Sequence, residues 1–493
     1  MNVFFPILRR MSFLLFIAIS LPVAGEQPPY SVATLKSDFA QLYQQLQQAH
    51  RDLYVNISKP EYDAHYRRFL NDITSPMSDS EARIYFQRFV ALGNIAHARI
   101  DLPVSDFMTF RESGGKTFPL YPSLRDNRAF VESYYGNEEK IESGQEIIAI
   151  NDKPVAQWVD QFSQYLSAES QAISNTLLEM YFPYLMWLET GAPDTFTLTV
   201  KTKSGPQTFS INARDREQQQ ASIAQRAAGM VEPAPLREYR MLDGNIGYLR
   251  PGPFYNAEEA DDNVWDATAF KQMIDDAFTH FQQQQATALL IDLRDNPGGT
   301  NSFSDYMIAW FADQPFRFAS DFSVKVSKQA IRSNEKRLEQ STDTGDTSHI
   351  LQSFYDKSDI GDIFSMALPH AEPRQGKRFE KPVFVLVNRY SYSNAVSVAA
   401  IVQDYGFGTL IGEKTADLAT TYGAMEHFTL PETGIEVGFP KALIVRPNGS
   451  PVPDGVTPDI SFDFEATGSD DKSVLKQVTK IIRQNLVGTE NKT

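Results

Sequence analysis

Three serines fall within seven residues in "VLVNRYSYSNAVSVAAIVQDYG", Val385 to Gly406, where an apolar strand-like run meets an apolar helix-like one. A serine at such a junction has two uses. It can cap the helix by accepting a backbone N–H bond. It can also act as a nucleophile, because the unpaired amides and dipole of a helix N-terminus stabilise developing negative charge. Lys381 to Val387 reads as a strand and Ala395 to Val402 as a helix stopped by Gly406, so the junction falls at Ser393-Asn394. Ser391 belongs to the strand end. Ser397 lies one turn inside the helix, where a serine bonds back to a carbonyl. Ser393 is the best placed of the three, and on this stretch alone capping and catalysis both stay open.

A second stretch bears on that choice. "ALLIDLRDNPGGTNSFSDY" is another buried strand, ending in Asn296-Pro297-Gly298-Gly299 ahead of a helix. Paired glycines let consecutive amides turn toward one point with no Cβ in the way, which makes an anion nest. Such a nest suits the oxyanion of a tetrahedral acyl intermediate.

In this order, "IDLRDNPGG", "VLVNRYSYSNAVSVAAIVQDYGFGTLIGEKT" and "PDGVTPDI" resemble the C-terminal-processing, or tail-specific, serine peptidase family. The resemblance implies a crotonase-like catalytic core, commonly with a PDZ-like domain inserted before it. It implies Ser393 as nucleophile, with backbone N–H groups around Gly298 and Gly299 as oxyanion donors and Asn394 as a further candidate. It also implies a protein or peptide substrate, with no metal or cofactor required.

The proton acceptor divides that family. Tail-specific members carry a lysine in a "T-x-G-K-G" block, but this chain reads "GEKTADLATTYG" and Leu418 stands at the corresponding position. Leucine accepts no proton. Lys414 is close in sequence, although an active lysine needs a desolvated pocket to depress its pKa. The other branch resembles the tricorn protease core and the retinoid-binding proteins of the photoreceptor matrix. Its catalytic members use serine, histidine and an acid, with the histidine in an N-terminal "D-x-H-t/a" block. His97 in "ALGNIAHARIDL" fits that place, with Ile95 where the aspartate usually stands. Imidazole suits the task because its pKa lies near neutral. His427 in "GAMEHFTL" is the alternative within the catalytic domain.

For the third member, the branch has a glutamate before its closing "GVxPD" block. Here Val452 occupies that position, and Asp454 is the nearest acid. Asp404 lies 11 residues beyond Ser393 on one helix, about 16 Å at the α-helical rise and out of hydrogen-bond reach. It reads as a helix-end residue, and Glu413 as a substrate-side or loop-anchoring one.

The elements that must position these groups fall into blocks. Residues 1–25 read as a secretory signal peptide. Arg9-Arg10 precedes the apolar run Met11 to Leu21, and Pro22-Val23-Ala24-Gly25 offers small residues before a cut at Glu26. Residues 30–112 read as an N-terminal helical domain, with Leu35, Phe39, Leu42, Tyr43 and Leu46 at three-four spacing. Residues 114–213 hold several short strands and one helix and resemble a PDZ-like α+β insert. Pro119 and Pro122 sit where its peptide-binding edge strand is expected, and proline lacks the N–H such pairing needs. Residues 235–465 alternate strands and helices in an α/β layout with largely parallel strands. Within them, 332–379 reads as an insertion or lid. Residues 470–486 form a final amphipathic helix.

The chain has no cysteine, which excludes a disulfide framework, a thiol nucleophile and thiolate zinc. A net charge of −16 spread along 493 residues argues against nucleic acid as a partner. No stretch after the leader is apolar enough to span a bilayer. The resulting expectation is a periplasmic or secreted serine endopeptidase. Loss of the usual lysine and glutamate keeps an inactive binding or scaffold protein on the same fold as the alternative, and a non-peptide acyl hydrolase as a third reading.

Overall fold

The computed structural model describes residues 29–125, 128–226, 235–257, 263–340, 347–464 and 471–490. The leader segment therefore lies outside the described residues. No helix among the described residues is long and apolar enough to cross a membrane.

Helices α1 (Val32–Ala49), α2 (Lys59–Asp72) and α3 (Asp79–Ala91) each begin after a serine, Ser31, Ser58 or Ser78, whose side chain accepts an N–H of the first turn. Ser78 and Glu81 complete a reciprocal capping box. The helix α4 (Val104–Glu112) follows. Leu35, Phe39, Leu42 and Leu46 bury with Phe86 and Phe89, and the same cluster continues into Val437 and Phe439 of the catalytic domain. The helical region is thus packed onto the domain that carries Ser393.

The insert is built from β1 (Leu120–Arg125), β2 (Arg128–Tyr134), β3 (Glu146–Ile150), β4 (Lys153–Pro154), β5 (Thr195–Thr202) and β6 (Gly205–Asn212). They pair antiparallel in the order β1-β2-β3-β5-β6, with β4 on β3. Two helices cover the sheet, α5 (Val155–Ser163) and the 20-residue α6 (Gln171–Thr190), and α7 (Arg216–Arg226) leads out. The second helix departs from the single one expected. Five consecutive residues, Phe182 to Met186, are buried in it and Pro183 interrupts it. A buried run that spans a whole turn blurs the amphipathic stripe.

Strand β1 forms one margin of that sheet, and side chains seal it. The Leu124 N–H donates to Glu179, and its carbonyl accepts from Asn175 and Arg389 at 3.4 Å each. Arg389 also reaches Ser123 Oγ at 3.0 Å.

The catalytic domain contains β7 (Glu238–Leu242), β8 (Ile246–Arg250), α8 (Thr268–Gln283), β9 (Ala288–Asp292), α9 (Asn301–Ala309), β10 (Asp321–Lys325), α10 (Lys328–Gln340), α11 (Thr347–Tyr355), β11 (Ile363–Met366), β12 (Val383–Val387), α12 (Asn394–Asp404), β13 (Thr409–Gly412), β14 (Thr421–Thr429), β15 (Glu436–Val445), β16 (Ile460–Ser461) and α13 (Asp471–Glu490). The main sheet runs β16-β13-β12-β9-β8-β7, parallel except for β7. Strands β8, β9 and β12 are buried at every residue. One face packs on α8, α9 and α12, and the other on Val474, Leu475, Val478 and Ile482 of α13. This explains their unbroken apolar sequences.

A second sheet, β11-β10-β15-β14, is wholly antiparallel and departs from the expected parallel layout. Gly423, Gly438 and Pro440 lie inside its strands, and such residues mask a strand pattern. The polar segment 332–379 is tied into this sheet rather than detached from it. Strand β11 pairs with β10, and Arg337 and Lys441 both bind the buried Glu426.

At the end of β9, Asp292 is 1% exposed and binds Arg294 at 2.6 Å and the Tyr248 hydroxyl at 2.8 Å. Burial alone would raise its pKa. The guanidinium groups of Arg294 and Arg250, with hydrogen bonds from Arg294 and Tyr248, outweigh that and hold it down to about 2. Its stabilising contribution is therefore present above the ordinary carboxylate pKa and is lost as pH falls toward 2. Asp292→Asn should cost about 3 kcal/mol, because two buried cations lose their counter-charge. Urea unfolding at pH 7 checks this, and the gap from wild type should narrow in acid.

Candidate active site

Strand β12 and helix α12 meet in a tight turn with Ser393 at its apex. The Ser393 backbone has φ +53° and ψ −122°, and it occupies the N-cap position of α12 without making a side-chain capping bond. A non-glycine residue in this region is strained by roughly 1–3 kcal/mol. Such strain is what exposes the hydroxyl at a strand-to-helix nucleophile turn. Capping therefore does not account for this serine. Ser391 is fully buried, donates to the Leu293 carbonyl at 2.8 Å and accepts the Asn388 N–H at 3.1 Å, so its hydroxyl is structural. The Ser393 hydroxyl has no hydrogen-bond partner among the described residues.

Carboxylates and amides hold the turn at several points. Asp295 binds the Asn388 side chain at 2.9 Å, and Glu413 accepts the Arg389 N–H at 3.1 Å, which makes Glu413 a loop anchor. Glu179 of the insert accepts the Tyr390 hydroxyl at 2.6 Å and pairs with Arg389 at 3.0 Å. Asp417 Oδ2 accepts the N–H of Ser393 itself at 2.5 Å. Burial pushes the Asp417 carboxyl up to about 6, with the Ser393 and Leu418 amides pulling it back. Asp404, as expected, ends α12 and clamps Arg446 at 2.6 Å.

The glycine pair lies directly against this turn. A Cβ on Gly298 would sit 2.6 Å from the Tyr392 carbonyl, 2.7 Å from the Asn394 nitrogen and 2.8 Å from Ser393 Cβ. Gly298 has φ +84° and Gly299 φ +139°. The two glycines divide the work. The Gly298 N–H is already donated to Asn296 Oδ1 at 2.9 Å, so Gly298 supplies space. The Gly299 N–H has no partner among the described residues. The Asn394 N–H is the first of α12 and has no intrahelical acceptor. The Asn394 side chain faces inward instead, donating to Ser304 Oγ at 2.9 Å.

His97 lies in the loop after α3, which docks on β15 through a bridge between Arg99 and Gly438. Its ring stacks on Tyr392, the residue before Ser393, with centroids 5.8 Å apart and planes at 19°. The structure thus brings a segment almost 300 residues upstream to the serine turn. His97 is 7% exposed, and its Nδ1 has no partner among the described residues. Burial, reinforced by the Arg99 guanidinium, pushes its pKa down to about 4, against a weaker opposing effect of the Tyr422 main chain.

The other sequence candidates stand apart. Asp454 is 57% exposed and pairs with Lys414 at 2.6 Å, so it is not the partner of His97 Nδ1, and Lys414 lacks the desolvation an active lysine needs. His427 is exposed on β14. Sequence reasoning missed Asp417, one residue before Leu418, and Tyr392, which lies within the serine motif itself.

Gly298→Ala should cut the rate of covalent labelling by a fluorophosphonate at least ~10²-fold, because the methyl would occupy the space beside Ser393 and the Asn394 amide. Labelling kinetics with a parallel thermal melt check this. The midpoint should fall as well, because the clash is with backbone atoms at φ +84°, so the labelling rate is compared at a temperature where both proteins are folded.

Residues 245–462 match the model of peptidase family S41. No curated protein matches the chain. Among solved structures, mature CPAF complexed with lactacystin is similar, at TM-score 0.65 and 17% identity, over 92% of this chain and 98% of that one. Mature CPAF itself gives TM-score 0.59 and 16% identity over 88% and 93% of the two chains. The photosystem II D1 C-terminal processing protease gives TM-score 0.43 and 15% identity over 90% and 97%. The CPAF matches show a shared fold across nearly the whole length, and the family match falls on the domain that holds the serine turn. The segment 245–462, which holds the serine turn, is therefore similar to the peptidase family S41 domain.

Proposed function

We propose that this serine peptidase is an endopeptidase in which Ser393 attacks the scissile carbonyl and His97 takes its proton. The observation that carries the reading is the strained, uncapped Ser393 backbone pressed against Gly298. The hydroxyl oxygen adds to the carbonyl carbon as its proton passes to the imidazole. The amides of Asn394 and Gly299 receive the oxyanion at the helix start. The imidazolium then returns the proton to the leaving amine, and water repeats the sequence on the acyl-enzyme. A neutral imidazole suits the first step, and burial keeps His97 neutral at pH 7.

The finer architecture belongs to the same proposal. We read the two-sheet domain as crotonase-like and the antiparallel insert as PDZ-like, a reading supported by the short antiparallel strands packed with helices over 114–213. Action outside the cytoplasm is supported by the leader pattern ahead of Glu26. One observation favours the alternative of a binding protein: the expected acid, Asp454, is spent on Lys414.

Ser393→Ala should abolish fluorophosphonate labelling and peptide hydrolysis. His97→Ala should lower both by ~10³-fold or more while Lys414→Ala leaves them near wild type. A mass-spectrometric labelling assay with a quenched peptide panel checks this. Wild-type protein that is folded and never labels would move the assignment to the binding protein.

A further inference from the structure

A catalytic histidine needs its second nitrogen held, or the ring turns and the wrong tautomer dominates. Asp454 does not do this. The His97 surroundings contain another acid. Ala96, Ile173 and Leu418 share one small apolar cluster, with Ala168 packed against it. That cluster presses the insert loop 168–173 against both the His97 loop and the segment after Asp417. Glu169 lies in this loop, beside the main chain of Ala96, the residue preceding His97.

Four atoms around the cluster are buried without hydrogen-bond partners of good geometry: His97 Nδ1, both carboxylate oxygens of Glu169 and Asp417 Oδ1. Buried polar atoms are rarely left unmatched, and a group of them in one place marks a site under functional constraint. Asp417 is already committed through Oδ2 to Ser393 and its Oδ1 faces no donor, whereas neither Glu169 oxygen makes a well-formed bond, its nearest donors being its own amide and that of Ala96, the residue before His97.

We propose, on the reading of His97 as the base, that Glu169 is its positioning residue, accepting the Nδ1–H of the imidazole as Ser393 is deprotonated. The Ser393 proton goes to Nε2. The resulting imidazolium keeps its Nδ1 proton and shares it as a hydrogen bond with the Glu169 carboxylate. The Nε2 proton then leaves with the amine, so the site returns to its starting charge.

Glu169 is held protonated toward about 8, chiefly by burial, with the Ala96 amide lowering that value and the nearby Asp417 raising it. The groups facing the pair are Asp417, Tyr392, Arg99 with its partner Asp101, and the Tyr422 main chain. A carboxyl must be ionised to receive the imidazolium proton. Activity should therefore climb as pH rises toward 8, well above the limb near 4 set by His97 alone.

The test is the rate of fluorophosphonate labelling from pH 5 to 10 in wild type, Glu169→Gln, Glu169→Asp and His97→Ala. Glu169→Gln should be ~10²-fold to 10⁴-fold slower at pH 8, lose the upper limb and be flat above about pH 6. Glu169→Asp should recover part of the rate together with the limb. If Glu169→Gln does not fold, Glu169→Asp still decides, because a shorter acid should shift the limb and slow the rate at least ~5-fold. A folded Glu169 variant with a wild-type rate and pH profile beside a dead His97→Ala overturns the positioning role alone. His97→Ala labelling normally, or wild type never labelling, removes the base assignment and this inference with it.

Discussion

The site depends on one backbone conformation. Ser393 sits at φ +53°, where an L-residue is disfavoured. Two contacts keep it there: Asp417 accepts its N–H, and the missing side chain of Gly298 leaves room for its Cβ. A larger residue at position 298 or the loss of Asp417 would let the turn relax toward an ordinary helix start, with the hydroxyl folded back as a cap. The buried parallel strands β9 and β12 then fix the two halves of the site at adjacent positions, since register pairs Leu386 with Asp292. Sheet pairing, helix start and glycine turn together place a hydroxyl beside unpaired amides.

Much of this was legible in the sequence, for reasons that differ by residue. Ser393 and the glycine pair were visible because fully buried strands give unbroken apolar runs, and what interrupts such a run at its end stands out. His97 was put forward through the resemblance, as no local pattern separates it from a packed histidine. The acid proposed for His97 was not legible. Glu169 and Asp417 reach the site through tertiary packing of an insert loop and a post-strand segment, and neither has a fixed spacing from Ser393 or His97. Asp454 was chosen for sequence proximity to a family motif, and in the fold an exposed lysine claims it. The second sheet escaped notice because Gly423, Gly438 and Pro440 break its strand pattern, and α6 because the buried run Phe182–Met186 spans a whole turn and blurs its stripe.

The electrostatics of the site follow from burial more than from pairing. His97 is pushed down, while Glu169 and Asp417 are pushed up. All three changes favour the uncharged form, as desolvation requires. At pH 7 the imidazole and Glu169 rest uncharged, whereas Asp417, at about 6, is largely ionised. Charge created during acyl transfer is met by fixed dipoles at the start of α12.

The sealed margin of the insert carries a mechanical consequence. Glu179 and Arg389 answer both the amide and the carbonyl of Leu124, and Arg389 stands four residues ahead of Ser393. The insert is therefore tied to the reactive turn, since any shift of it must break the contacts of Glu179 with Arg389 and Tyr390. An extended chain pairing with this strand at Leu124 would first have to evict Glu179 and Arg389, one of which stands on the loop that carries the alcohol.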